Sequence, residues 1–157
     1  MANTELYEQD FYAWTHTQAR LLDACQFEAL DIPHLVEELT SLGKSEQREL
    51  LNRLRPLLEH LLKLAIAAQR LPNALQRAGR GWRATVKTQR LHVAQVLRDN
   101  PSLRSTVPRA LGDAYEVARV EAAVALDIEE AMVPETCPWE VTQVLATDFW
   151  PEADTFP

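Results

Sequence analysis

This sequence predicts an all-α fold, a single-domain helical bundle of about four to six helices with a long, kinked central helix. Composition points there first: 157 residues hold 4 Gly and 3 Tyr against abundant Leu, Ala, Glu and Arg, a helix-forming mixture. Apolar residues recur every three or four positions in segment after segment, and no stretch alternates as a half-buried strand would. One chain of this length fits one domain, and folding at this size buries roughly 70% of the surface exposed by the unfolded chain. Residues 1–157 are therefore read as one α-helical domain, with residues 134–157 as a docking tail.

The first periodic segment runs from Asp10 to Cys25. Phe11, Trp14, Leu21, Leu22 and Cys25 form its stripe, Gln18 interrupts it, and Asp10 is placed to cap its start. After a short link at 27–30, Asp31 precedes Ile32-Pro33, a helix-start signal with proline tolerated in the first turn. Leu35, Leu39 and Leu42 give that helix an apolar edge, and Gly43 is a candidate break. Leu50, Leu54, Leu57, Leu61, Leu64 and Ala68 then step by four and three, and Leu51, Leu58, Leu62 and Ala65 widen the face to that of a bundle helix. Pro56 lies inside this run and predicts a kink. Glu59, four residues from both Arg55 and Lys63, predicts a surface charge ladder.

Residues 71–81 read as a connection, because Pro72-Asn73, Gly79 and Gly81 are breakers. A helix follows from Trp82 to Arg98, stopped by Asp99-Asn100-Pro101. The last long helix begins near Thr106-Val107-Pro108. Its stripe of Val107, Leu111, Ala114, Tyr115, Ala118, Ala122 and Ala125 is narrow enough for close helix approach. In the tail, Thr136 is placed to cap a turn at Cys137-Pro138-Trp139. Phe149-Trp150 reads as an apolar pair that packs back over one end of the bundle.

Charge is sorted into blocks. Residues 1–50 carry 3 basic and 10 acidic side chains, residues 51–110 carry 12 and 2, and residues 111–157 carry 1 and 11. A net charge of −7 thus hides a cationic middle between anionic ends.

Successive segments resemble a known family. YEQDFYAW, LVEELTSLG, LLEHLLK, GWRATVKTQR and CPWEVTQVLATDFWP look like the ordered signatures of the bacterial domain-of-unknown-function family 29, and they cover nearly the whole chain. The resemblance implies a small all-helical bacterial protein. It implies no activity and no site residues, since the family has none assigned. Pro56 departs from the uninterrupted apolar run associated with that helix.

The candidate site is the basic segment. On a helical wheel with Trp82 at zero, Val86, Val93, Val96 and Leu97 lie within about 60°. Arg90, Arg83, Lys87, Arg98 and Arg80 fall at about 80°, 100°, 140°, 160° and 160°. A core face and a cationic stripe thus adjoin. With the helix starting at Trp82, Arg80 and Arg83 oppose its macrodipole, and an anion held by the free N–H groups with Arg77, Arg80 and Arg83 around it would relieve that. Arg77, Arg80, Arg83, Lys87 and Arg90 are accordingly the anion- or partner-binding candidates. The stripe pairs with the chain's own acidic blocks, or meets an acidic partner protein or a second copy of this chain, or binds nucleic acid. Trp82 could stack a base, but its place on the apolar stripe reads as core.

Other chemistries find little footing. Gly79-Arg80-Gly81-Trp82-Arg83-Ala84 fits a loose dinucleotide fingerprint, but no strand precedes it. No Glu-x-x-His motif accompanies His34, His60 or His92, so neither metal nor cofactor is expected. Ser41 and Ser45 sit in no nucleophile elbow, and no catalytic residue is named. Cys25 and Cys137 make no CxxC pair and read as structural thiols within helix contacts. No membrane-spanning run and no secretory signal is present, so a cytoplasmic protein is expected. The expected function is non-enzymatic protein–protein interaction, with nucleic-acid binding through the basic helix at 77–98 as the alternative.

Overall fold

The computed structural model describes residues 3–153, with side chains from Glu5 onward; residues 154–157 of the expected tail lie outside the described residues. Among these residues are six α-helices: α1 Asn3–Gln9, α2 Phe11–Asp23, α3 Ile32–Arg70, α4 Pro72–Asp99, α5 Val107–Leu126 and α6 Val141–Leu145. Short 3₁₀ turns join several of them, and no strand occurs among the described residues. The fold class is thus all-α. The chain forms two compact units, Met1–Ser45 and Glu46–Pro157.

In the first unit, α1 precedes the earliest helix expected from periodicity; Leu6 and Tyr7 alone give it too little apolar pattern. Asp10 caps α2 as expected, its Oδ1 accepting the Ala13 N–H at 2.9 Å. The core-facing side of α2 is not the expected stripe. Trp14 and Gln18 are buried, whereas Phe11 and Leu22 are about half exposed. Gln18 is tolerated inside because its Oε1 accepts the Asp31 N–H at 2.9 Å, satisfying the backbone just ahead of α3. Asp31 is itself buried, and its Oδ2 takes His34 Nδ1 at 2.8 Å and the Trp14 indole N–H at 3.3 Å. Burial pushes the Asp31 carboxyl up, but the bonds from His34 and Trp14 outweigh it and hold the group below its ordinary range. The Tyr7 ring stacks on His34, and its hydroxyl donates to Glu38 Oε1, which pushes the phenol up to about 12. Along α3, Leu39 and Leu42 are exposed, so the edge expected from Leu35, Leu39 and Leu42 is not a core edge within this unit. Cys25 is exposed too and lies at φ 55°, in the turn that ends α2 and not in a helix contact.

In the second unit, the regular leucine run of α3 is the centre of the core: Leu50, Leu54, Leu57, Leu58, Leu61 and Leu62 are fully buried. The helix passes Gly43 and Pro56 without a break. From α5, Ala114, Ala118 and Ala122 pack into this core together with Tyr115, whose hydroxyl donates to the Pro134 carbonyl at 2.7 Å. Arg55 is not part of a ladder around Glu59; it reaches α5 and pairs with Glu121 at 2.7 Å. In the tail, Thr136 caps no helix. Glu140 does so, in a reciprocal box: its side chain accepts from the Gln143 backbone, and Gln143 Oε1 accepts the Glu140 N–H at 2.9 Å. Two donors satisfied at once favour a start at Val141 over one nearer Thr136. Trp139 and Val144 are thereby buried, with Phe149 and Trp150 packed against the same core.

Candidate functional site

The five cations singled out in the sequence all belong to α4, which starts earlier than expected. Residues 72–81 are helical, not a connection. Pro72 sits in the first turn, where its missing N–H has no partner to lose. Gly79 and Gly81 each cost the helix about 0.5–1 kcal/mol relative to alanine. Burial of Val86, Val93 and Leu97, with Leu75 and Trp82 packed beside them, outweighs that cost. Gly79 is also closely covered: an added Cβ would come 2.9 Å from Leu75 Cδ1.

This start removes one expected chemistry. Arg80 and Arg83 lie in the helix interior, where backbone N–H groups are already bonded, so no helix-terminal anion site exists between them. The cationic side remains. Arg77, Arg80, Arg83 and Lys87 are exposed, and none makes an ion pair within 4.0 Å among the described residues. Acidic residues of the last block pair elsewhere: Glu121 with Arg55, Glu130 with Arg119, Asp113 with Arg109. An open depression of about 520 Å³ runs along the face, lined by Leu75, Gly79, Arg80, Arg83, Ala84 and Lys87. Its apolar floor and cationic rim lie on one helix.

Arg90 departs from this pattern. It is 4% exposed, so the stripe is not continuous through it. Its Nε donates to the Val144 carbonyl at 2.9 Å, and its guanidinium lies 5.3 Å from the centre of the Trp150 ring. Arg83 approaches the same ring at 5.2 Å. Burial lowers the Arg90 pKa from its ordinary value, with nearby Asp148 acting the other way. On the wheel Arg90 stands nearest the apolar side of the five cations placed by angle, and that position alone hints at its burial. What covers it comes from residues more than fifty positions on.

A second polar cluster holds the Glu59–Lys63 pair expected from their spacing, together with His60 and Trp82, which the spacing does not bring to it. Lys63, although buried, bonds Glu59 Oε1 at 3.0 Å and lies 5.2 Å from the centre of the Trp82 ring. His60 Nδ1 is 2.8 Å from the Pro56 carbonyl and its Nε2 is 3.3 Å from Lys63 Nζ. A carbonyl only accepts and an ammonium only donates, so the proton sits on Nδ1 and Nε2 accepts. Burial, then Lys63, lowers the His60 pKa, against the opposing pull of the Pro56 carbonyl and Glu59. His34 is engaged by Asp31, and among the described residues no three His, Cys, Asp or Glu side chains converge to hold a metal. The Cys137 thiol points to the Trp139 carbonyl and is pushed up by burial.

The family model for the domain of unknown function DUF29 matches residues 6–150, from α1 to the Trp150 that overlies Arg83 and Arg90. The chain belongs to the DUF29 family. No curated protein and no solved structure matches it. The DUF29 match spans both compact units and all the residues of the cationic face. Among the described residues, no helix of this DUF29 chain is long and apolar enough to cross a membrane.

Proposed function

We propose that this protein acts by binding, presenting the cationic face of α4 to an acidic protein partner. One observation carries the reading: Arg77, Arg80, Arg83 and Lys87 are exposed together and in no ion pair among the described residues, beside a depression floored by Leu75, Gly79 and Ala84. Such a surface suits a helix or loop with carboxylates at its edge and small apolar residues at its centre. The chain's net charge of −7 weighs against nucleic acid, which would meet repulsion outside this one face. No catalytic group is needed for this role.

The test is fluorescence anisotropy with a labelled glutamate-rich amphipathic peptide, run beside DNA and RNA probes at low and physiological salt. The peptide is expected to bind, to weaken as salt rises, and to lose about tenfold in affinity to Arg77→Glu/Arg80→Glu. A peptide that does not bind at low salt overturns the proposal. Tighter, equally charge-dependent binding of the nucleic-acid probes replaces it with the nucleic-acid reading. Light scattering on the free protein identifies a second copy of the chain as the partner if a dimer forms and Arg77→Glu/Arg80→Glu dissolves it.

A further inference from the structure

We propose that an apolar recess beside Leu91 is the anchor pocket of the cationic face of α4. Resting on the binding role of that face, the recess selects an acidic partner helix that carries a leucine-sized side chain two turns from a small one. It holds about 250 Å³, is lined by Lys87, Arg90, Leu91 and Thr147, and exposes almost only apolar surface. Arg90 explains part of this. Its Nε is bonded to the Val144 carbonyl and its Nη atoms are closed off from solvent, so what it offers the recess is its methylene stem. Lys87 likewise lends its stem and keeps its ammonium in water. Leu91 itself is 69% exposed. A lone surface leucine is ordinary, but this one walls a concave pocket on the helix that presents Arg80, Arg83 and Lys87.

The recess adjoins the open depression of α4. Lys87 lines both, with Gly79, Arg80, Arg83 and Ala84 before it in the helix and Leu91 after it. Ala84 and Leu91 lie two helical turns apart, about 10 Å along the axis. A partner helix laid along α4 presents its own positions i and i+7 on one side at the same spacing. A small residue at the first position meets Gly79 and Ala84, and an aliphatic residue at the second enters the recess. Charge complementarity names the partner. Cations rim both apolar sites, so carboxylates flanking the two anchors complete the contact, whereas a basic amphipathic helix is repelled. The cations thus favour acidic helices in general, and the aliphatic anchor discriminates among them.

The experiment is fluorescence anisotropy of the whole chain with labelled glutamate-rich helical peptides of equal charge. Each has alanine at the first anchor position and either leucine or alanine seven residues on. Alanine and leucine are both strong helix formers, so a difference reports the pocket. At physiological salt the leucine peptide is expected to bind about tenfold tighter. Moving the leucine to the opposite side of the peptide is expected to cancel the gain. Leu91→Gln is expected to cancel it from the protein side, with alanine-peptide affinity and melting temperature unchanged, because Leu91 is exposed. Thr147→Phe, which fills the recess, is expected to do the same and keeps the inference testable if Leu91→Gln folds poorly. Equal affinity for the two peptides overturns the inference and leaves the binding role of the cationic face standing; no binding of either overturns both. A leucine preference that survives Leu91→Gln and Thr147→Phe overturns the inference too. A dimer of the free protein that Leu91→Gln dissolves puts a second copy of the chain in the recess and overturns the assignment to an acidic helix.

Discussion

His60 links a single proton to stability. Its Nδ1–H is committed to the Pro56 carbonyl, and its Nε2 faces the Lys63 ammonium at 3.3 Å, so a second proton would set two cations against each other in a buried place. The folded-state pKa lies below the ordinary 6.5, whereas the unfolded chain titrates near that value. The unfolded state therefore binds more protons between the two values, and stability rises with pH across that interval. The stabilisation from neutral His60 is full above 6.5 and is lost as pH falls toward the lowered value. Urea melts from mildly acidic to neutral pH are expected to show this slope in the parent and a flatter one in His60→Gln; identical slopes would remove His60 as the cause. This group was not legible in the sequence. His60 was visible beside Glu59, but its burial and its bond to Lys63 depend on which turn of α3 faces Trp82. Arg83 and Lys87 were legible as exposed because the wheel set them well away from the apolar side. Arg90, close to the boundary, was decided by Val144 and Trp150, which no local pattern brings near.

Helix ends show how local rules and tertiary context divide the work. Both α2 and α5 stop in the same way, with paired bonds from a residue of positive φ and the residue after it. These are Cys25 N–H to Leu22 and Gln26 N–H to Leu21, and Asp127 N–H to Val124 and Ile128 N–H to Ala123. The turn residue needs positive φ in each, and Cys25 at 55° and Asp127 at 53° supply it without glycine. Asp127 is exposed, so Asp127→Gly relieves the strain at little packing cost and is expected to stabilise by about 0.5–1 kcal/mol, about 2 °C in a thermal melt. A lowered melting temperature would mean that the aspartate side chain does more than occupy the turn. The start of α2 was legible because Asp10 is a strong cap. The start of α4 differs from the expected one because Pro72-Asn73, Gly79 and Gly81 together read as breakers, although proline in a first turn breaks nothing and two glycines yield to a buried valine and leucine face. α6 was displaced by a few residues because glutamate is an uncommon cap, and only the Glu140–Gln143 pairing reveals it.

At the scale of the whole molecule, the charge blocks seen in the sequence do not cancel on α4. Arg55, Arg119 and Arg109 take carboxylates of the last block, while Arg77, Arg80, Arg83 and Lys87 face outward at helical spacings of three and four. Like charges so spaced oppose one another by about 0.2–0.5 kcal/mol per pair. A face kept free for an outside anion therefore carries a small standing cost, whereas a face bound to the chain's own carboxylates would carry a gain. Thermal melts of the parent and Arg77→Gln/Arg80→Gln, at low and high salt, separate these directly. If the face is free, neutralisation is expected to raise the melting temperature by about 1–3 °C at low salt, with the difference fading as salt screens the repulsion. A fall of several degrees on neutralisation would mean that these arginines are held by the chain's own acidic segments, and it would contradict the binding role built on their being free.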